Sequence, residues 1–146
     1  LQSNKAASAV RLFDMIQSLD SVALAQKVSQ AAEAQGKTVD CLVEVNSSGD
    51  ATKFGLTPDD VIPVAERIAP LPGIILRGVM TIGPLTDDER RVREAFESTA
   101  RLFARMKTAC GPRVDTLSMG MSGDFETAVR SGATMVRVGT AIFGGR

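Results

Sequence analysis

Five short β-rich runs alternate with longer stretches that carry helical signals, and this alternation constrains the fold more than any other feature of the chain. The runs are 13–19 (FDMIQSL), 39–46 (VDCLVEVN), 74–82 (IILRGVMTI), 114–118 (VDTLS) and 134–138 (TMVRV). After the first, Asp20 is placed to cap a helix that reaches about Gln35, with Leu24, Val28 and Ala31/Ala32 on one face and Gly36 as its stop. Thr57-Pro58-Asp59-Asp60 predicts a second helix start: Thr57 as cap, Pro58 at the first helical position, Asp60 as the capping-box acid. Val61/Ile62, Ala65 and Ile68/Ala69 then face inward. The clearest helix spans 87–110, where Val92, Ala95/Phe96, Thr99, Leu102/Phe103, Met106 and Cys110 repeat at helical spacing, and Gly111-Pro112 ends it. Ser122 opens a short helix that stops at Gly132. Helical crossovers between apolar strands are what a parallel sheet requires.

A parallel βα array closes in two common ways, as an open doubly wound sheet or as an eight-stranded barrel. The chain of 146 residues suits one domain. Leu1 stands where a Met is expected, and Leu1-Gln2-Ser3-Asn4-Lys5 reads like the middle of a longer polypeptide. A barrel needs about 250 residues, which this chain approaches if about three βα units precede it. The predicted fold is therefore α/β, a TIM (β/α)8 barrel with roughly the last five strands present, residues 1–146 forming a single domain.

Composition removes several functions. Seventeen Lys/Arg balance seventeen Asp/Glu, so net charge is zero and no basic excess suits nucleic acid. No apolar run approaches the roughly 18–20 residues of a membrane span, and no charged-then-apolar leader opens the chain. Histidine is absent, which removes the commonest general base, the Ser-His and Cys-His pairs and most zinc sites. No metal is expected. Cys41 and Cys110 are far apart, each in an apolar-periodic segment, and read as buried thiols in a reducing cytoplasm.

Two small-residue segments could carry chemistry. Ser118-Met119-Gly120-Met121-Ser122 follows the fourth run, and Arg137-Val138-Gly139-Thr140 ends the fifth. Both offer backbone N–H groups, hydroxyls and room for close approach, the equipment that holds a phosphate dianion. In a barrel the frequent phosphate site lies in the loops after strands seven and eight, the places these segments would occupy. The plainer reading is that Gly120 and Gly139 only turn the chain and that Ser122 only caps its helix. Asp124 and Glu126 stand in that helix's first turn and repel a phosphate unless they point away.

Strand alternation puts Met135, Arg137 and Gly139 on one face, with Val136 and Val138 on the other. An inward arginine needs an acceptor or a carboxylate. It either pairs with an inward acid such as Glu44 or presents a permanently protonated donor to a ligand. Glu44 and Asn46 share a face with Leu42 and either line a pocket or satisfy the loop. Lys5, Lys27, Lys37, Lys53 and Lys107 all lie outside the apolar strands and are read as solvated.

LQSNK (1–5), IQSLDS (16–21), LVEVN (42–46), KFG (53–55), LRGVMTIG (76–83), LSMGMSGDFETAV (117–129) and VRVGTAIFG (136–144) occur in that order. Together they closely resemble the pyridoxal phosphate homeostasis protein family, over essentially the whole chain. The resemblance implies a single alanine-racemase-like TIM barrel that binds pyridoxal 5′-phosphate. It also implies a role as cofactor carrier or regulator without established catalysis, with PLP-dependent client enzymes as partners. By motif, Ser118, Gly120, Ser122, Gly139 and Thr140 resemble the phosphate cradle, and Arg137 the residue facing the pyridine nitrogen. The family's first strand, with the lysine that holds the cofactor covalently, has no counterpart in this sequence, and Glu44 stands where a glutamine is common. The alternative is a PLP-dependent amino-acid racemase or decarboxylase of the same barrel type. A third reading is a barrel for another phosphorylated metabolite.

Overall fold

The computed structural model describes residues 1–50 and 52–145. Its centre is one sheet of five parallel strands in the order β1-β2-β3-β4-β5: Met15–Leu19, Val39–Val45, Ile74–Thr81, Thr116–Met121 and Met135–Arg137. A doubly wound sheet reverses its strand order part-way. Sequential order throughout is the order of a barrel wall.

Six helices accompany the strands: α1 (Ala6–Leu12), α2 (Val22–Ala34), α3 (Val61–Ile68), α4 (Glu89–Cys110), α5 (Phe125–Arg130) and α6 (Thr140–Phe143). Helices α1 to α5 each pack on the next, forming a layer outside the sheet. The main core lies between those two layers. Val43 and Val45 of β2, Val79 of β3 and Leu117 and Met119 of β4 meet Val28, Ala65, Ile68, Phe96 and Met106 of the helices. Leu42 and Met80 are also buried but belong to the opposite, concave face.

The sheet curls strongly. Gln17 of β1 accepts a hydrogen bond from Ser118 Oγ of β4 at 2.7 Å, and its amide donates to Met135 Sδ of β5 at 3.2 Å. The two edge strands therefore touch through side chains across the concave face.

Several boundaries differ from expectation. The helix after β1 is capped by Ser21, whose hydroxyl accepts from the Leu24 N–H at 3.2 Å, and not by Asp20. Helix α3 starts at Val61 rather than at Pro58. Thr57 Oγ1 donates to Asp60 Oδ2 at 2.6 Å, so that carboxylate is occupied and makes no cap. Asp88 caps α4. Strand β4 runs to Met121, beyond the expected Ser118, because β5 pairs along it as far as Met121 opposite Arg137. Ser118 and Gly120 are consequently strand residues, not loop residues. Helix α1 carried no clear sequence signal. Lys37 is not simply solvated, since its ammonium donates to the Arg11 carbonyl at 2.9 Å and closes the end of α1.

Candidate functional site

Arg137 ends β5 on the concave face, and its surroundings are polar but uncharged at contact distance. Nη1 donates to Ser118 Oγ at 2.8 Å and Nη2 to the Thr81 carbonyl at 2.8 Å. Ser118 is fully buried and its hydroxyl donates to Gln17 Oε1, so a chain of hydrogen bonds runs from β1 through β4 to β5. No carboxylate lies within 4.0 Å of Arg137 among the described residues. Of the two readings of an inward arginine, the ion pair with Glu44 is therefore not formed. Burial lowers the Arg137 pKa from its ordinary value, and the nearby charges of Asp124 and Glu44 pull it back. A guanidinium so placed stays protonated.

The Gly139 segment lies beside the β4–α5 loop. Ser122 Oγ accepts from the Gly139 N–H at 3.1 Å and from the Ala141 N–H at 3.2 Å. The structure thus joins Ser122, Gly139 and Thr140 at one exposed corner, with Arg137 two residues away along the chain. Ser122 does not cap α5: the N-cap position is Asp124, whose side chain makes no cap bond and whose Oδ1 instead accepts from the Met121 N–H at 2.6 Å, closing the loop ahead of the helix. Glu126 is turned toward Arg130 at 3.1 Å. Both acids are thus engaged within their own loop and helix.

The two glycines play different parts. Gly120 has φ +93°, and a Cβ there would meet the Ala128 Cβ at 2.5 Å, so the seating of α5 on β4 demands glycine. Gly139 has φ −121°, and a Cβ there meets nothing within 4 Å. Packing within the chain gives no reason for glycine at 139.

Residues 1–146 match the family described as alanine racemase, N-terminal domain. The chain belongs to that family. A pyridoxal phosphate homeostasis protein from Vibrio alginolyticus is 40% identical across the whole chain, which spans 62% of that relative's length. PipY of Synechococcus elongatus, solved with PLP bound, superposes with a TM-score of 0.90 at 37% identity, covering 99% of this chain and 67% of that one. An alanine racemase from Clostridium difficile, at 15% identity and a TM-score of 0.82, shares the fold over the full chain and 40% of its own.

In this alanine racemase N-terminal-domain chain, cavities open beyond the carboxyl ends of the strands, two of them against the segments discussed above. One, of about 690 Å³, lies between the β3–α4 and β4–α5 loops and includes Ile82, Leu85, Asp87, Met121 and Asp124. The other, of about 330 Å³, includes Glu44, Asn46, Lys53, Phe54 and Ile82. Sequence reasoning passed over two participants. Gln17, a polar side chain inside an apolar strand, carried a signal that could have been read. The Thr81 carbonyl carried none, because a backbone acceptor is invisible to residue type. No helix among the described residues is long and apolar enough to cross a membrane.

Proposed function

We propose that this chain forms the phosphate- and ring-binding portion of a pyridoxal 5′-phosphate protein that carries or regulates the cofactor without turning over a substrate. The observation that carries this reading is the convergence of the Gly139 and Ala141 N–H groups on one small hydroxyl, beside an arginine without a carboxylate partner. Such a corner already gathers N–H donors around one oxygen acceptor, and the Ser122 and Thr140 hydroxyls, which donate no hydrogen bond among the described residues, remain for an anion beside space at Gly139 that packing does not use. The donor set therefore fits a phosphate ester. Ser122, Gly139 and Thr140 would hold the phosphate. Gly120 seats α5 close enough to present that loop, and Ser118 orients Arg137. The named relatives and the PLP-bound PipY support this choice of anion.

The cofactor supplies an aldehyde that takes up amines. Arg137 keeps its proton and would face the pyridine nitrogen of a bound cofactor as a charged donor that does not give its proton up. A ring so held is a weak electron sink, which suits storage better than carbanion chemistry. PLP-dependent client enzymes are the natural recipients. A reducing cytoplasm is the compartment that suits two free thiols, Cys41 and Cys110.

Retention of PLP by the full-length protein, measured by equilibrium dialysis, tests the reading. Gly139→Val is expected to lower retention roughly tenfold or more while leaving circular dichroism unchanged, since the new side chain meets only the ligand's space. Equal retention by variant and wild type overturns it.

A further inference from the structure

We propose that the larger cavity, the groove between the β3–α4 and β4–α5 loops, docks a partner protein through large apolar side chains flanked by lysine or arginine. The groove, of about 690 Å³, has an apolar wall of Ile82, Leu85 and Met121 and reaches Val92 of α4 and Thr127 of α5. Leu85 is 98% exposed, Ile82 45% and Met121 40%. A single exposed leucine needs no explanation, but three large apolar side chains around one cavity form a patch of the kind that marks interaction sites. β3 and β4 are each paired on both sides, so the groove does not lie at an edge of the sheet.

The loop that carries Leu85 is held at both ends. Gly83 is buried against the Phe96 ring, which a Cβ there would meet at 3.1 Å, and lies beside Asp124 Oδ2 at 3.6 Å. After Leu85, the Thr86 hydroxyl accepts from the Asp88 N–H at 3.2 Å, and Asp88 caps α4. Leu85 is therefore presented to water by a fixed loop, and a partner that covers it has little ordering left to do. The rim chooses the partner's charge. Asp87, Glu89 and Asp124 line the groove against one cation, Lys53, leaving two negative charges in excess. None of the three acids forms an ion pair among the described residues. Glu89, in the first turn of α4, also suits the helix dipole, but Asp87 stands outside the helix and makes no cap bond. An apolar centre with an acidic rim matches apolar anchors between basic residues. The groove shares no residue with the proposed phosphate corner and stands independently of the cofactor reading.

Fluorescence-polarisation titration of the full-length protein tests it with three labelled peptides of equal length. The first has leucine pairs separated by lysine pairs, the second has glutamate in place of lysine, and the third has serine in place of leucine. The leucine–lysine peptide is expected to bind saturably and roughly tenfold or more tighter than either control. Leu85→Ser, at a side chain that packs on nothing, is expected to weaken it by a similar factor with circular dichroism unchanged. Asp87→Lys, which neutralises the excess charge of the lining, is expected to remove the preference for lysine over glutamate. Absence of saturable binding by the leucine–lysine peptide, or unchanged binding in Leu85→Ser, overturns the proposal. Equal binding of the serine–lysine peptide overturns it in favour of unspecific charge attraction. Self-association of the wild type that Leu85→Ser abolishes, without peptide binding, overturns it in favour of a second copy of this chain.

Discussion

Arg137 and Glu44 show how far side-chain chemistry is set by immediate neighbours. Both sit on the concave face, and alternation alone left open a pair between them or an arginine free to meet a ligand. The guanidinium takes Ser118 and a backbone carbonyl, and Glu44 makes no hydrogen bond or ion pair among the described residues. Arg137→Gln is expected to remove the ring-facing cation and to lower PLP retention. Loss of its bonds to Ser118 and Thr81 should cost about 1–3 kcal/mol of stability, with helix content kept. Dialysis and a urea melt on the same sample check both parts, and undiminished retention would return Arg137 to a purely structural role. For Glu44 the sign of the pH effect is fixed by the direction of its shift. Burial raises the folded-state value above the ordinary one, opposed by the amino-terminal ammonium of Leu1 and by Arg137 and reinforced by Asp20. In the window just above the ordinary carboxyl value the native state holds more protons than the unfolded chain, so stability falls as pH rises through it. Glu44→Gln should therefore gain stability over wild type at neutral pH, with the gain shrinking in acid below the unfolded value. Urea midpoints across that range decide it; a gap that does not change with pH would sink the idea. Cys41, pushed up to about 12 by burial, takes no part in such chemistry near neutrality.

At the scale of elements, interior positions were legible and ends were not. The inward row Val92, Phe96, Thr99, Leu102 and Met106 of α4 is buried as its spacing implied, because burial of one stripe is a property of the helix itself. Caps and strand ends depend on which partner reaches them. Asp60 was drawn to Thr57, and β4 was lengthened by its neighbour β5. That extension changes how Gly120 reads: a glycine expected in a loop is a strand residue, held at φ +93° against α5. Gly120→Ala should cost about 2 kcal/mol or more, from the left-handed backbone and the collision with Ala128 together. A chemical denaturation curve checks this; a loss below half that figure would mean that α5 shifts freely.

For the whole molecule, the decisive property is curvature. Five strands in sequential order form an arc tight enough for Gln17 to reach Ser118 and Met135. β1 and β5 nevertheless end the sheet with no further strand paired to them among the described residues. Unpaired strand edges recruit other edges. Residues 1–146 produced by themselves are expected to self-associate as concentration rises, read by sedimentation velocity. A monomer at every concentration would show that the edges are already shielded. The sequence by itself determined the βα alternation, the parallel sheet, the buried stripes and the candidate residues around 118–122 and 137–140, because hydrophobic period and residue type are local properties. The three-dimensional arrangement set three other features. It parted Ser118, committed to Arg137, from Ser122, committed to the Gly139 and Ala141 amides. It distinguished a glycine needed for packing from one the packing leaves open. It also set Glu44 and Lys53 around a single cavity. Each depends on distances between residues remote in the chain, which sheet curvature and strand register fix and local pattern does not encode.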